Sequence, residues 1–151
     1  MQPEFRHVCD IEALVGPIRD LGPAPHGRRR IIDITGGTVR GPWLTGSVVP
    51  GGADWQYVRA DGVIELEARY CIRTGDGTEI AVTNRGLRRA APDIMERMSR
   101  REAVDPALVY FRTVPVFEAP VGPYAWLNES VFLATAARFP DNVRIKVFEV
   151  M

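Results

Sequence analysis

Lysine is nearly missing from this chain: Lys146 is the single lysine among 19 basic residues, and 19 acidic residues balance them to a formal net charge of zero. That balance excludes the basic face that a nucleic-acid or membrane-surface protein ordinarily carries. Histidine is almost as scarce, with only His7 and His26. Neither has a carboxylate cluster beside it, so no metal site is expected. The two cysteines, Cys9 and Cys71, are far apart, match no metal spacing, and read as free thiols of a reducing compartment. No apolar run approaches the ~18 residues of a membrane helix, and Met1 to Asp10 has no apolar signal core. A cytoplasmic protein of bacterial type, with no membrane or nucleic-acid partner, is the expectation.

Hydrolase and nucleotide motifs are lacking too. Ser47 and Ser130 have no Gly-x-Ser-x-Gly frame. Gly36-Gly37 has neither a following lysine nor a helix after it, so it is no phosphate loop. No cofactor is expected.

What the chain has is punctuation. Glycine and proline are frequent and fall between short β-type runs. That rhythm predicts an all-β sandwich or barrel rather than βαβ units. At 151 residues the chain is about one domain, large enough to bury a core without staples. Val63 to Thr74 alternates clearly: Ile64, Leu66, Ala68, Tyr70 and Ile72 on one face, Glu65, Glu67, Arg69 and Arg73 on the other. Asp76-Gly77 predicts a tight hairpin into Thr78 to Arg88. Further strands are predicted over Arg28–Ile34, Trp43–Val49, Trp55–Arg59, Val109–Glu118, Val131–Phe139 and Val143–Val150. Thr35 to Thr38 reads as a turn and Tyr124 to Asn128 as an aromatic connector. One helix is predicted over Pro92 to Arg101, closing one end. Phe5 to Val15 fits a strand or a short amphipathic helix, and closure of a barrel favours the strand. The expectation is a mainly β, single-domain antiparallel barrel over residues 1–151, of about eight to ten strands with one short helix, wide enough for a small ligand.

Several stretches together resemble a known family. They are Gly22-Pro23-Ala24-Pro25-His26-Gly27, Ile34-Thr35-Gly36-Gly37-Thr38, Pro50-Gly51-Gly52-Ala53-Asp54-Trp55-Gln56, Asn84-Arg85-Gly86, Tyr110-Phe111-Arg112-Thr113 and Tyr124-Ala125-Trp126-Leu127-Asn128. The chain resembles the domain of unknown function 3237, or uncharacterised protein family 0311, over nearly its whole length. The resemblance implies a β-barrel and a homo-oligomer. It implies no assigned activity, and a cofactor-independent cyclase or isomerase role fits it.

Candidate chemistry centres on Asp54. Gly51 and Gly52 permit a tight turn that would present this carboxylate at a strand mouth beside Trp55. In a semi-apolar pocket its pKa would rise, suiting a general acid or base. An aspartate that merely braces its own turn is the alternative. Arg69, Arg85 and Arg112 lie among apolar and aromatic residues. Facing inward, they would hold a carboxylate, phenolate or enolate. The alternatives are internal ion pairs with Glu65, Glu67 or Asp33, or simple exposure to solvent. The run Arg28-Arg29-Arg30 alternates faces, leaving a solvated edge with one inward arginine. Trp55, Tyr70 and Trp126 would wall the cavity or pack as core, and Asn128 would bind ligand or cap a turn. Three functions follow: a proton-transfer isomerase, cyclase or lyase; a non-catalytic carrier; or an oligomerisation domain using Val143, Ile145 and Val147 on an edge strand.

Overall fold

A computed structural model describes residues 1–151. Nine strands are β1 Phe5–Ala24, β2 Gly27–Arg40, β3 Gly46–Val48, β4 Gly52–Val58, β5 Ile64–Thr74, β6 Glu79–Ala90, β7 Val109–Glu118, β8 Phe132–Arg138 and β9 Asn142–Val150. They form one antiparallel sheet in the order β1-β9-β8-β7-β6-β5-β3-β2-β4. Two further pairings, β1 with β2 and β5 with β4, bring that order back on itself as a ring. The mainly β, barrel-like architecture predicted from the turn rhythm is the one observed.

Period two explains most of the ring. On β5 the side chains Ile64, Leu66, Tyr70 and Ile72 are buried, while Arg69 and Arg73 face out. On β6 the buried phase is Ile80, Val82, Asn84 and Arg88. Ile72 sits opposite Ile80, and both are wholly buried. A one-residue slip would turn that face to water at about 2 kcal/mol per large side chain, which fixes the register. The turn between them is closed by Gly77 N–H donating to Thr74 O at 3.0 Å, with Gly77 at φ 86° and Asp76 accepting from Thr78 N–H.

Three segments depart from expectation. Thr35 to Thr38 does not turn the chain: β2 runs straight through it, and Gly37 lies against Ala13 of β1. The glycines serve a close backbone approach rather than a reversal. Trp43 to Val49 yields only the short β3, since Trp43 lies in a bend and is half exposed. The last strand is no edge: β9 pairs with both β1 and β8, and Ile145 and Val147 are buried. The apolar edge expected of Val143, Ile145 and Val147 is therefore absent. Phe5 to Val15 is strand, as closure required.

The helix α1, Pro92–Ser99, starts with Pro92 in its first turn and buries Ile94. Its Met95 packs on a small core cluster of Ile64, Leu66 and Phe111. The helix stops two residues short of the expected Arg101, which takes a positive φ of 60°. The main core holds 19 residues, among them Val8, Ile11, Leu44, Ile72, Ile80, Phe117 and Phe132. Ala136 and Val143 touch both clusters. Between the two lies a polar girdle. No helix is long and apolar enough to cross a membrane.

Candidate functional site

The girdle surrounds a cavity of about 50 Å³ inside the ring. Every strand except β3 contributes to its wall. The apolar part includes Ile32, Ile34, Leu66, Phe111, Val143 and Ile145. The polar part is Asp54 and Gln56 from β4, Tyr70 from β5, Asn84 and Arg88 from β6, and Arg138 from β8. Arg30 of β2 joins them across the Arg30↔Gln56 register pair.

A short relay fixes Asp54. Arg30 Nη2 donates to Gln56 Oε1 at 2.6 Å, and Gln56 Nε2 donates to Asp54 Oδ2 at 2.7 Å. Guanidinium can only donate, so it turns the Gln56 carbonyl toward Arg30 and the amide hydrogens toward Asp54. One carboxylate oxygen is pinned. The other, Oδ1, is buried with no partner in the protein. Tyr70 Oη, Asn84 Oδ1, Arg88 Nε, Arg30 Nε and Arg138 Nη1 are likewise buried and unpartnered. Buried polar atoms are nearly always satisfied, so such a concentration marks a place built for something else to bind.

Charge distribution follows the same lines. Burial pushes the Asp54 carboxyl above its ordinary value; the Gln56 bond and the guanidinium groups of Arg88, Arg138 and Arg30 oppose that only in part. Burial, with the like charge of Arg30, brings Arg88 down to about 10. Arg30 and Arg138 are lowered as well, again chiefly by burial. Burial raises the Tyr70 hydroxyl, which therefore stays a neutral donor. A carboxyl moved toward neutrality beside fixed cations can give or take a proton while the cations stabilise developing negative charge.

The raised carboxyl has a consequence for stability. Between the ordinary 3.8 and the raised value, folded protein holds a proton that the unfolded chain has released. Asp54's contribution to stability therefore falls as pH rises through that window, and stays lower above it. Surface carboxylates such as Asp20, Asp61, Glu67 and Asp76 are lowered and act in the opposite sense. The difference between wild type and Asp54→Asn isolates the buried group. Urea unfolding from acid to neutral pH is expected to show wild type losing ground to Asp54→Asn as pH rises. A difference running the other way would mean that the arginines hold the carboxyl below 3.8.

The residues singled out by sequence separate into two groups. Asp54 and Tyr70 both reach the cavity. Arg69 and Arg85 stand on the outer face, sharing Glu67 at 3.3 and 3.0 Å, because each occupies the outward phase of its strand. Arg112 also faces out, donating to Phe111 O at 2.9 Å over the Tyr110 ring. The inward cations expected of these three are supplied instead by Arg30, Arg88 and Arg138. Trp55 is on the outer face, 47% exposed, near Arg29. Trp126 packs against the main core, edge-on to Trp43. Asn128 spends its amide on Ala119, donating to its carbonyl at 2.9 Å and accepting from its N–H at 2.8 Å. Gln56 and Asn84 stand in stretches that carry the resemblance but gain no role from it, and no motif points to Arg88 and Arg138, although Asn84 and Arg88 are in phase with the buried Ile80 and Val82 of β6. The thiol of Cys9 lies in the main core, pushed up to about 12 by burial, and takes no part.

Comparison with known proteins places this chain in a family. The model for "Protein of unknown function (DUF3237)" matches residues 3–150. A UPF0311 protein of Bradyrhizobium diazoefficiens is 44% identical over 148 residues, covering 98% of this chain and 97% of its own. The crystal structure of a conserved protein of unknown function from Rhodopseudomonas palustris superposes with a TM-score of 0.97 at 40% identity, covering 100% of this chain and 99% of that one. A beta-barrel like protein from Acinetobacter baumannii superposes with a TM-score of 0.87 at 30% identity, covering 100% and 98%. With fold and sequence in agreement along nearly the whole chain, the protein belongs to the DUF3237 family.

Proposed function

We propose that this protein binds a small molecule inside the ring and moves a proton on it through Asp54, as an isomerase, cyclase or lyase that needs no cofactor. The observation that carries this reading is Asp54 itself. Its Oδ2 is held by the Gln56 amide, and its Oδ1 is buried, unpartnered and turned to a cavity lined by arginines. A purely structural carboxylate would have both oxygens satisfied. Oδ1 is the atom that takes or gives the proton. Arg88 and Arg138 stabilise the enolate-like or oxyanionic charge that appears when it does. Arg30 and Gln56 are positioning residues, acting through the relay to Oδ2. The apolar wall keeps water from competing for the proton.

The test works without a named substrate. Protein is incubated with a bacterial metabolite extract in D₂O, and small molecules are compared by mass spectrometry. Wild type is expected to convert or deuterate a metabolite, and Asp54→Asn to slow this by roughly 10²–10⁴-fold, the usual worth of a general acid or base. A metabolite that co-purifies and is released unchanged, with no exchange, favours a carrier. Equal conversion by Asp54→Asn removes Asp54 from the chemistry.

A further inference from the structure

We infer that the occupant of the interior cavity is a small organic acid, its carboxylate held among Arg30, Arg88 and Arg138 and its compact apolar body set against the cavity's aliphatic wall. This deepens the proton-transfer reading and rests on the same cavity being the site.

The first support is a contrast between two populations of arginine. Most outer-face arginines have carboxylate partners, as Arg19 with Asp33 at 3.0 Å, Arg28 with Asp20 at 2.7 Å, Arg85 with Glu67 at 3.0 Å and Arg101 with Asp141 at 2.9 Å, and others without one, such as Arg40, Arg89 and Arg112, are exposed to water. The three inner ones form no ion pair and share the single carboxylate of Asp54, which none of them contacts directly. With Asp54 ionised the girdle carries three positive charges and one negative. Buried charge is ordinarily paired, because leaving water is costly for each ion. Guanidinium donors in excess, pointing inward, are matched by an anion with planar acceptors.

The second support is the rest of the wall. Val15, Ile32, Ile34, Leu66, Phe111 and Val143 offer nothing to an oxygen atom. A bare inorganic oxyanion would press its remaining oxygens against them, whereas a carboxylate carries its own apolar body. The cavity's 50 Å³ exceeds the ~10–15 Å³ that admits one water and falls short of the ~150 Å³ that takes a benzene ring, so it suits a short-chain acid of a few carbons. The unpartnered Asp54 Oδ1 and Asn84 Oδ1 are acceptors and leave room for a donor group on the same molecule.

The experiment uses the whole protein with acetate and propionate, their neutral isosteres acetamide and propionamide, and inorganic phosphate. Binding is followed by calorimetry and by thermal shift. At least one acid is expected to bind about tenfold or more tighter than its amide, the scale of one charge-assisted hydrogen bond. Arg88→Met and Arg138→Met, each checked for folding by circular dichroism, are expected to lose that preference. Arg85→Met, on the outer face, is expected to keep it. Amides binding as well as acids would overturn the acid assignment and leave the cavity reading intact. Phosphate binding alone would overturn the organic body. If no probe binds, the acid assignment fails, and the D₂O experiment decides the cavity reading separately.

Discussion

An Arg88→Met variant is expected to unfold at a higher temperature than the parent, and an Asp54→Ala variant at a lower one. The asymmetry follows from the girdle's excess of cations. Arg88 falls from the ordinary 12.5 to about 10, so keeping it charged inside costs about 3 kcal/mol. Its contact with the Phe111 ring, 5.5 Å from guanidinium carbon to centroid, returns only about 1 kcal/mol. Methionine fills similar space and has no polar atom to strand. Asp54 keeps two cationic neighbours, Arg30 and Arg138, so removing Arg88 orphans no charge. The expected gain is about 1–2 kcal/mol, or roughly 2–8 °C for a chain of this size. Removing Asp54 does the reverse. Alanine leaves the Gln56 Nε2 donor without its acceptor and takes away the carboxylate whose charge favours the cationic forms of Arg30, Arg88 and Arg138, a loss of about 1–3 kcal/mol. Scanning calorimetry at neutral pH checks both. Stabilisation by Arg88→Met together with lost ligand preference is what a residue kept for function shows. A loss of several kcal/mol instead would make Arg88 a structural residue.

Much of the ring can be read from spacing alone. The alternation of β5, the Asp76-Gly77 turn and the proline-led helix each follow from local rules, and each is present. The same alternation also sorts the arginines. Counting in twos from Ile80 reaches Asn84 and Arg88 and passes over Arg85. Counting in twos from Phe132 reaches Ala134, Ala136 and Arg138. Apolar and aromatic flanks around Arg69, Arg85 and Arg112 are a poorer guide, because neighbours in sequence sit on the opposite face. Asp54 is legible from its glycines, and Gln56, two residues on, shares its face. Tyr70 can be placed by phase as well. What local sequence does not carry is anything set by a distant partner. Gly36-Gly37 looks like a turn until β1 lies across it. Trp43 looks like a strand residue until the bend at Gly41 to Trp43 swings it out. The relay from Arg30 through Gln56 to Asp54 exists only once β2 and β4 are in register.

Gly37→Ala is expected to be the most damaging small substitution in the chain. Gly37 sits in β2 at φ 140°, opposite Ala13 of β1. A methyl group there would meet Glu12 O at 2.0 Å, its carbonyl carbon at 3.0 Å and Ala13 Cα at 3.1 Å. All three are backbone atoms, so no side chain can swing aside. Relief requires pulling β1 away from β2, and that pairing is one of the two that close the ring. The clash adds to the strain of a positive φ, giving an expected loss of about 4 kcal/mol or more, at the far end of what single substitutions do. Two other glycines separate strain from clash. Gly51 has φ 111° with nothing within 4 Å of its added methyl, so Gly51→Ala is expected to cost about 1 kcal/mol from strain alone. Gly75 has neither problem, and Gly75→Ala is expected to gain about 0.4–1 kcal/mol by restricting the unfolded chain. Urea unfolding of the three variants should rank them in that order. Ligand binding should fail only in Gly37→Ala, because Ala13 and Val15 of β1 face Ile32 and Ile34 of β2 across the cavity wall. Should Gly37→Ala fold with a loss under about 1 kcal/mol, β1 and β2 are not held at this approach. The site would then be open along that seam, and an interior that excludes water could not be part of its chemistry.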